Sequence, residues 1–294
     1  MIAVSVVVPN YNSGADLERC LQSIAIQKRD LLEVIVVDAG STDNSPEILA
    51  RHRDAIDTLI CEKDDGQADG INKGLRLARG EVLCWLCADD EWTPDAIEKI
   101  ATLFADHPEV DVVLGACERI YPDGSPSLTP ARPETWSLIG TQNVIDQPSI
   151  FWRRRLYERI GELDRSFDLA FDWDFWCRMR DAGAVLKTSD AVLSRYHFTA
   201  TNKSGSAGRK HADESFRILR RYGPLGGWVA YVFLFLFTQF DLKGCYDNPP
   251  TCTRNRGRVF AATHRILKRV FGERLLYLYN WHFASCQERG LKWW

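Results

Sequence analysis

Apolar positions along the chain fall into short solid runs separated by amphipathic stretches. Residues 2–8 are an almost unbroken β-branched run closed by Pro9-Asn10, the pattern of a strand buried on both faces. Leu17, Cys20, Leu21 and Ile24 then recur at helical spacing. A second buried strand is expected at 33–37, ending at Asp38 in a Gly-Ser-Thr turn. Ser45-Pro46 opens a further helix, proline being favourable in a first turn. Residues 58–61 read as a short third strand, "GQADGINKGLRLARG" as a helix closed by Gly80, and 82–86 as a fourth strand. Thr93-Pro94 opens the next helix, with Ile97, Ile100, Leu103 and Phe104 on one face, and 110–114 are one more strand.

This alternation predicts an open α/β sheet, and in such sheets ligands bind beyond the carboxyl ends of the strands. Three acidic spots stand there: Asp38, the group at 62–65, and the neighbours Asp89 and Asp90. Residues 121–133, rich in Pro and Ser, are expected to be a flexible loop. The stretch "FDLAFDWDFWCRMRDAG" sets Asp168, Asp172 and Asp174 among bulky aromatics and continues as a helix to about Gly183. A polar loop is expected at 196–206 and a basic helix at 210–222. Residues 225–240 carry no charge. As a helix they would reach ~24 Å at ~1.5 Å per residue, short of the ~20 residues that cross ~30 Å of bilayer. An element lying in the membrane interface, or a buried helix, suits them better than a span.

Composition alters this picture in two places. Hydrophobic residues at 45% and charged residues at 26% are ordinary for a folded chain of 294 residues,. The nine cysteines are odd in number and scattered. They read as reduced and mostly buried, which favours the cytosol over a disulfide scaffold. The N-terminus has no basic segment before its apolar run, unlike a signal peptide. The net charge of −3 hides an asymmetry: residues 1–194 hold 20 basic and 34 acidic side chains, residues 195–294 hold 17 and 6. A basic last third beside an acidic body implies two surfaces with different partners.

Two adjacent carboxylates in a wet cleft repel one another unless something positive sits beside them. A hard divalent ion such as Mg²⁺ or Mn²⁺ takes oxygen ligands and bridges to phosphates. Zinc is disfavoured, because no histidines accompany the acids at zinc spacing. No GxxxxGK[ST] loop is present and no GxGxxG follows the first strand, so phosphates are not cradled by glycines. A metal held by Asp89 and Asp90 fits a nucleotide-diphosphate leaving group, whose charge develops as the bond breaks.

The blocks "SVVVPNYNSGADLERCLQSI", "EVIVVDAGSTDNSPEIL", "EKDDGQADGINKGL" and "GEVLCWLCADDEWTPDAI" resemble, in order, those of the inverting family 2 glycosyltransferases with the GT-A fold. The resemblance covers about residues 1–200. It implies a Rossmann-like mixed α/β sheet flanked by helices as a catalytic domain at 1–205, with a nucleotide-sugar half to about 115 and an acceptor half after it. A helical, basic C-terminal extension occupies 206–294. It further implies that Pro9, Tyr11 and Asp38 hold the nucleobase and ribose, and that Asp69 and Lys73 line the nucleotide pocket. Asp89 and Asp90 match the end of the family's DXD-type motif, Asp90 being the better metal ligand, while Cys87 or Ala88 stands where a third polar group would be. His197 resembles a later histidine that reaches the metal or diphosphate. "FDWDFW" matches the acceptor-side acidic motif, with Asp172 as general base and Asp174 as runner-up. Gln147 and Trp173 would line the acceptor pocket with Asp174. The activity implied is sugar transfer from a nucleotide sugar, UDP-linked, to an acceptor hydroxyl, with Mg²⁺ or Mn²⁺ as cofactor.

Plainer readings stand beside these. Asp89 and Asp90 also suit the approach to a helix, Asp38 and Asp43 suit turns, and Asp172 suits an N-cap. Asp69 and Lys73, four apart on a helix, also suit a simple ion pair, and Trp85 and Leu86 are expected in the core. The C-terminal third carries no catalytic motif. Its aromatic run fits core packing or, alternatively, docking on an anionic membrane surface, with Arg220, Arg221, Lys268, Arg269 and Arg274 toward lipid and Trp228, Trp281, Trp293 and Trp294 at headgroup level. Nucleic acid is not expected as a partner, since no recognised module for it appears. A cytoplasmic enzyme, peripheral at the inner face of the plasma membrane and acting on a saccharide or lipid-linked acceptor, is one reading. A non-catalytic partner of the same fold in a membrane-associated assembly is the other.

Overall fold

The β-branched runs do become the centre of a sheet. The computed structural model describes residues 2–28, 31–141, 143–198, 208–223 and 253–271. They divide into two compact units, one from 1–135 with 145–199 and the other from 136–144 with 200–294.

In the first unit, strands β1 (Val4–Asn10), β2 (Leu32–Asp38), β3 (Thr58–Cys61) and β4 (Val82–Trp85) lie parallel in the order β3-β2-β1-β4. Helices α1 (Gly14–Gln27), α2 (Ser45–Arg51) and α3 (Gln67–Leu77) provide the crossovers. The sheet continues through β8 (Ile150–Arg153), which is antiparallel to β4, then β6 (Val112–Ile120), β9 (Leu186–His197) and the two-residue β5 (Glu91–Trp92). It is thus a mixed α/β sheet flanked by helices, with α4 (Ala96–Asp106), α6 (Arg154–Ile160) and α7 (Phe171–Asp181) completing the layers.

All seven residues of β1 are buried, as expected for a strand with helices on both faces. Close approach between α3 and β1 depends on Gly74, where a Cβ would stand 2.4 Å from Val7 Cγ1. Gly80 does not close α3, contrary to the expectation; the helix ends at Leu77. Gly80 instead lets the turn press on β1, its N–H donating to Ser5 Oγ at 2.7 Å and a Cβ there falling 2.6 Å from Ser5 N.

The stretch at 121–133 is also more ordered than expected. Strand β7 (Pro126–Thr129) pairs antiparallel with the end of β6. Gly124, at φ +81°, closes the turn, and Asp123 Oδ1 accepts from Ser125 N–H at 2.9 Å. Proline starts the strand, a position where no ladder donor is required of it.

Between β4, β8 and α7 lies an aromatic core. The rings of Trp85 and Trp176 stack at 5.1 Å and 6°, and Trp152 meets both edge-on at 5.2 and 5.7 Å. These indoles are fully buried, and such pairs add about 0.5–1.5 kcal/mol beyond area burial.

In the second unit, α5 (Thr135–Leu138) runs into residues 136–144, and α8 (Gly208–Tyr222) buries Phe216, Ile218 and Leu219. Helix α9 (Arg254–Phe271) follows. No described helix is long and apolar enough to cross a membrane. The uncharged run at 225–240, with Trp228, Arg274, Trp281, Trp293 and Trp294, lies outside the described residues, as does the polar loop beyond Phe198.

Candidate active site

Register brings the strand ends to one edge. Asn10 is paired with Asp38, and Asp38 with Cys61. Asp38 is buried and its carboxylate organises the loop after β2. It accepts from Asn10 Nδ2 at 2.7 Å, Ser41 Oγ at 2.5 Å, Ser41 N–H at 2.9 Å and Gly40 N–H at 3.2 Å. Pro9 is buried within β1 and Tyr11 stands 62% exposed just beyond it. The turn expected at Asp43 is present, its oxygens accepting from Gly14 and Ser45 N–H at 2.9 and 3.0 Å.

The N-terminal turn of α3 forms the next wall. Gly66, at φ +109°, starts it in a conformation that favours glycine,. Asp69 accepts from Arg165 Nη1 at 2.9 Å and from Asp65 N–H at 3.2 Å, with Lys73 Nζ at 3.7 Å. Burial works against its ionisation, but the Asp65 amide and the Arg165 guanidinium outweigh it and hold the carboxyl below its usual range. Lys73 bridges to Glu62 at 2.8 Å, and that bond, foremost, raises its pKa. Asn72, fully buried, donates to Leu163 O and accepts from Leu163 N–H, both at 2.9 Å. Asn72 and Arg165 thus fasten the loop leading to α7 onto α3.

Beyond β4 the chain turns tightly, Asp90 N–H donating to Cys87 O at 2.9 Å. The turn gathers one ligand atom each from Cys87, Asp89 and Asp90 to within 4.8 Å of one another. Arg19 Nη2 secures it through Asp89 O at 2.9 Å. Asp90 is 2% exposed, and its Oδ1 is buried with no hydrogen-bond partner. Burial first, and then the charges of Asp89 and Asp146, push its pKa well above the carboxylate range, against the His197 backbone N–H and Arg19. His197 ends β9 with Nε2 at 3.3 Å from Glu91 Oε1. Its main-chain amide reaches the acidic turn at Asp90.

Cys87 Sγ lies between Gln67 Nε2, which donates to it, and Gln147 Oε1, to which it donates, each at 3.3 Å. Gln147 Nε2 donates in turn to Trp85 O at 2.7 Å. Gln147 therefore buttresses the turn. Asp172 is half-buried in the first turn of α7, where Oδ1 accepts from Trp173 N–H at 2.6 Å. It shares the electrostatic neighbourhood of the acidic turn: burial foremost raises the Cys87 thiol pKa, and Asp89, Asp90 and Asp172 all add to that. The other two acceptor candidates are buried. Trp173 is 2% exposed, and Asp174 is fully buried against Arg178 Nε at 2.8 Å. Arg178 also donates to Ile160 O at 2.8 Å and Glu162 O at 2.7 Å, so this pair pins α7 to the end of α6.

The donor set fits a hard divalent cation. Two carboxylates converge, and one oxygen buried without a partner is a costly arrangement that a cation would relieve. The Cys87 thiol, kept protonated by burial, is the poorer ligand. Gln67, Asn72, Arg165 and Arg19 escaped the sequence reading. The available signal was polar residues at core-facing positions of α3, where Asn72 and Asp69 interrupt an otherwise apolar face.

Residues 5–180 match the family model described as Glycosyl transferase family 2. The chain is similar to an uncharacterized glycosyltransferase of Nostoc sp., 34% identical over 309 residues that cover 97% of this chain and 91% of that relative. It is also similar to a PGL/p-HBAD biosynthesis glycosyltransferase of Mycobacterium tuberculosis, 30% identical over 224 residues that cover 72% of this chain and 81% of the relative. Among solved structures, S. aureus TarS 1-349 in complex with UDP-GlcNAc superposes with a TM-score of 0.60 at 20% identity, over 81% of this chain and 73% of that one. The mannosyltransferase PcManGT of Pyrobaculum calidifontis, in complex with GDP-Man and Mn²⁺, gives 0.58 at 20% identity, over 98% and 86%. These structural likenesses show a shared GT-A fold.

Proposed function

The chain belongs to glycosyl transferase family 2 and is a nucleotide-sugar-dependent glycosyltransferase, and from that premise we propose that it inverts configuration while moving a sugar from a UDP-linked donor to a saccharide hydroxyl. The single observation that carries this reading is the buried, unpartnered Asp90 Oδ1 beside Asp89 at the end of β4. Asp89 and Asp90 would hold Mg²⁺ or Mn²⁺, and that ion supplies neutralisation of charge on the departing diphosphate. The TarS complex with UDP-GlcNAc and the PcManGT complex with GDP-Man and Mn²⁺ support a donor of this class and a metal of this type.

Each residue then has a task. Pro9, Tyr11 and Asp38 shape the base and ribose pocket, with Asp38 acting mainly through the loop it organises. Asp69 and Lys73 border the nucleotide, and His197 contributes to the diphosphate end. Asp172 takes the proton from the acceptor hydroxyl as the new bond forms; an alcohol is a weak nucleophile until a carboxylate does so. Attack from the face opposite the leaving group turns an α-linked donor into a β-linked product. Gln147, Trp173 and Asp174 support the acceptor side from behind, given their buried bonds. A lipid-linked saccharide of envelope or exopolysaccharide assembly, met at the cytoplasmic membrane face, is the acceptor class we assign. The relative in PGL/p-HBAD biosynthesis and the basic last third support it.

The test is release of nucleoside diphosphate from a panel of UDP- and GDP-sugars, with and without Mn²⁺, by the wild type and by Asp172→Asn. Loss of general-base catalysis lowers turnover by roughly 10²–10⁴-fold. A correctly folded Asp172→Asn with wild-type turnover removes the base assignment, and turnover confined to GDP-sugars removes the donor assignment.

A further inference from the structure

Helix α9 differs from α8 in what it leaves uncovered. The apolar side chains Phe216, Ile218 and Leu219 of α8 are buried, at 7%, 0% and 6% exposure. On α9, Val259, Ile266 and Val270 are exposed at 37%, 63% and 67%. They are seven and four residues apart, which at ~3.6 residues per turn places all three within about 40° of arc. They form one apolar ridge along the helix.

Cations flank the ridge. The helix carries Arg254, Arg256, Arg258, Arg265, Lys268 and Arg269 and no acidic residue. All five arginines are exposed, and Arg254, Arg258, Arg265 and Arg269 have no carboxylate partner among the described residues. On the helical wheel Arg256 alone stands on one side of the ridge, and Arg258, Arg265 and Arg269 stand on the other. Arginine stems can lie along apolar surface while their heads reach outward. The pattern, an uncovered aliphatic line with a row of guanidinium groups along one side, matches a surface that offers hydrocarbon beneath phosphate. A second copy of the helix fits it badly, because docking ridge on ridge would set arginine rows against each other. A nucleic-acid backbone would leave the aliphatic line unused.

We propose that α9 lies in the plane of an anionic membrane surface, with Val259, Ile266 and Val270 entering the acyl boundary and Arg258, Arg265 and Arg269 engaging lipid phosphates. This goes beyond the glycosyl-transfer reading and does not rest on it, since docking is scored without donor or metal.

The experiment floats the full chain on vesicles of phosphatidylcholine alone or mixed with phosphatidylglycerol, at low and high salt. Flotation is expected only with the anionic mixture, and weaker in salt. Ile266→Asp with Val270→Asp abolishes it while leaving the melting temperature unchanged. Replacing Arg258, Arg265 and Arg269 by Gln lowers partitioning about a hundredfold, at ~1 kcal/mol per cation near the surface. Four results overturn the proposal: no flotation at low salt, flotation undiminished in the Asp double variant, a marked fall in its melting temperature (the ridge would then be covered in the folded chain), or displacement from vesicles by a DNA duplex that binds both variants as well as it binds the wild type.

Discussion

Replacing Asp90 with asparagine should stabilise the ligand-free protein and abolish its response to metal and nucleotide. The carboxyl is 2% exposed, with Oδ1 unpartnered and with the Asp89 and Asp146 charges bearing on it. A buried polar atom left without a partner costs about 1–3 kcal/mol. An amide has nearly the same shape, keeps an oxygen for the His197 N–H, leaves its Nδ2 as unpartnered as the oxygen was, and differs in carrying no charge to bury or for its acidic neighbours to repel. A gain of about 1–3 kcal/mol would raise the melting temperature by about 2–4 °C per kcal/mol for a unit of this size. A ligand at about a hundred times its Kd adds ~2.7 kcal/mol to the protein that binds it. Wild type should therefore melt below the variant alone and above it, or level with it, when Mn²⁺ and UDP are present. Differential scanning fluorimetry at mildly alkaline pH, with circular dichroism to verify the fold, reads both arms. A variant that melts lower than wild type without ligand, or that shifts as far as wild type with Mn²⁺ and UDP, would refute the claim that this carboxylate is kept at a cost for a cation.

Three more outcomes can be checked on the same protein. Asn72→Ala leaves Leu163 N–H and C=O without their buried partner and should cost about 2–4 kcal/mol in urea unfolding, with a weaker nucleotide response because the Arg165 loop loosens. Gly74→Ala should destabilise by about 1–3 kcal/mol, since the new methyl would meet Val7 Cγ1 at 2.4 Å; an unchanged urea midpoint contradicts the packing. Burial opposes ionisation of Glu33, but its bonds to Ser5 Oγ at 2.6 Å and Arg79 N–H at 2.7 Å depress its pKa. A depressed acid contributes stability above its unfolded value, near ~4.3, and loses it as pH falls through the folded one. Unfolding midpoints between neutral and strongly acidic pH should thus fall less steeply in Glu33→Gln than in wild type.

What was legible in the sequence follows from burial on two faces. Strands β1, β2 and β4 are solid apolar runs because helices cover both sides, and any such run announces itself. β9 does not: "LKTSDAVLSRYH" is mostly half-buried, so lysine, aspartate and arginine are tolerated and the period is blurred. β5, at two residues, takes its place from distant partners: it pairs with β9, and Trp92 donates to Ser23 Oγ and to Pro148 O. The acidic turn was readable because two charges ending an apolar run are costly unless used. Its supports were not, since Gln67 and Gln147 meet Cys87 from 20 and 60 residues away and Arg165 reaches Asp69 across 96. No local pattern encodes such partners. The acidic-aromatic motif is silent on helix phase for a related reason, and it is phase that buries Trp173 and Asp174 while leaving Asp172 half-buried.

The stacked indoles of Trp85 and Trp176 carry a mechanical consequence. One belongs to the strand that leads into the acidic turn and the other to the helix whose first turn carries Asp172. Any hinge between those two elements would have to prise apart two flat rings packed at 6° with a third indole wedged against both. Asp172 and the acidic turn are riveted to a common block, so the distance between them is preset before any substrate arrives.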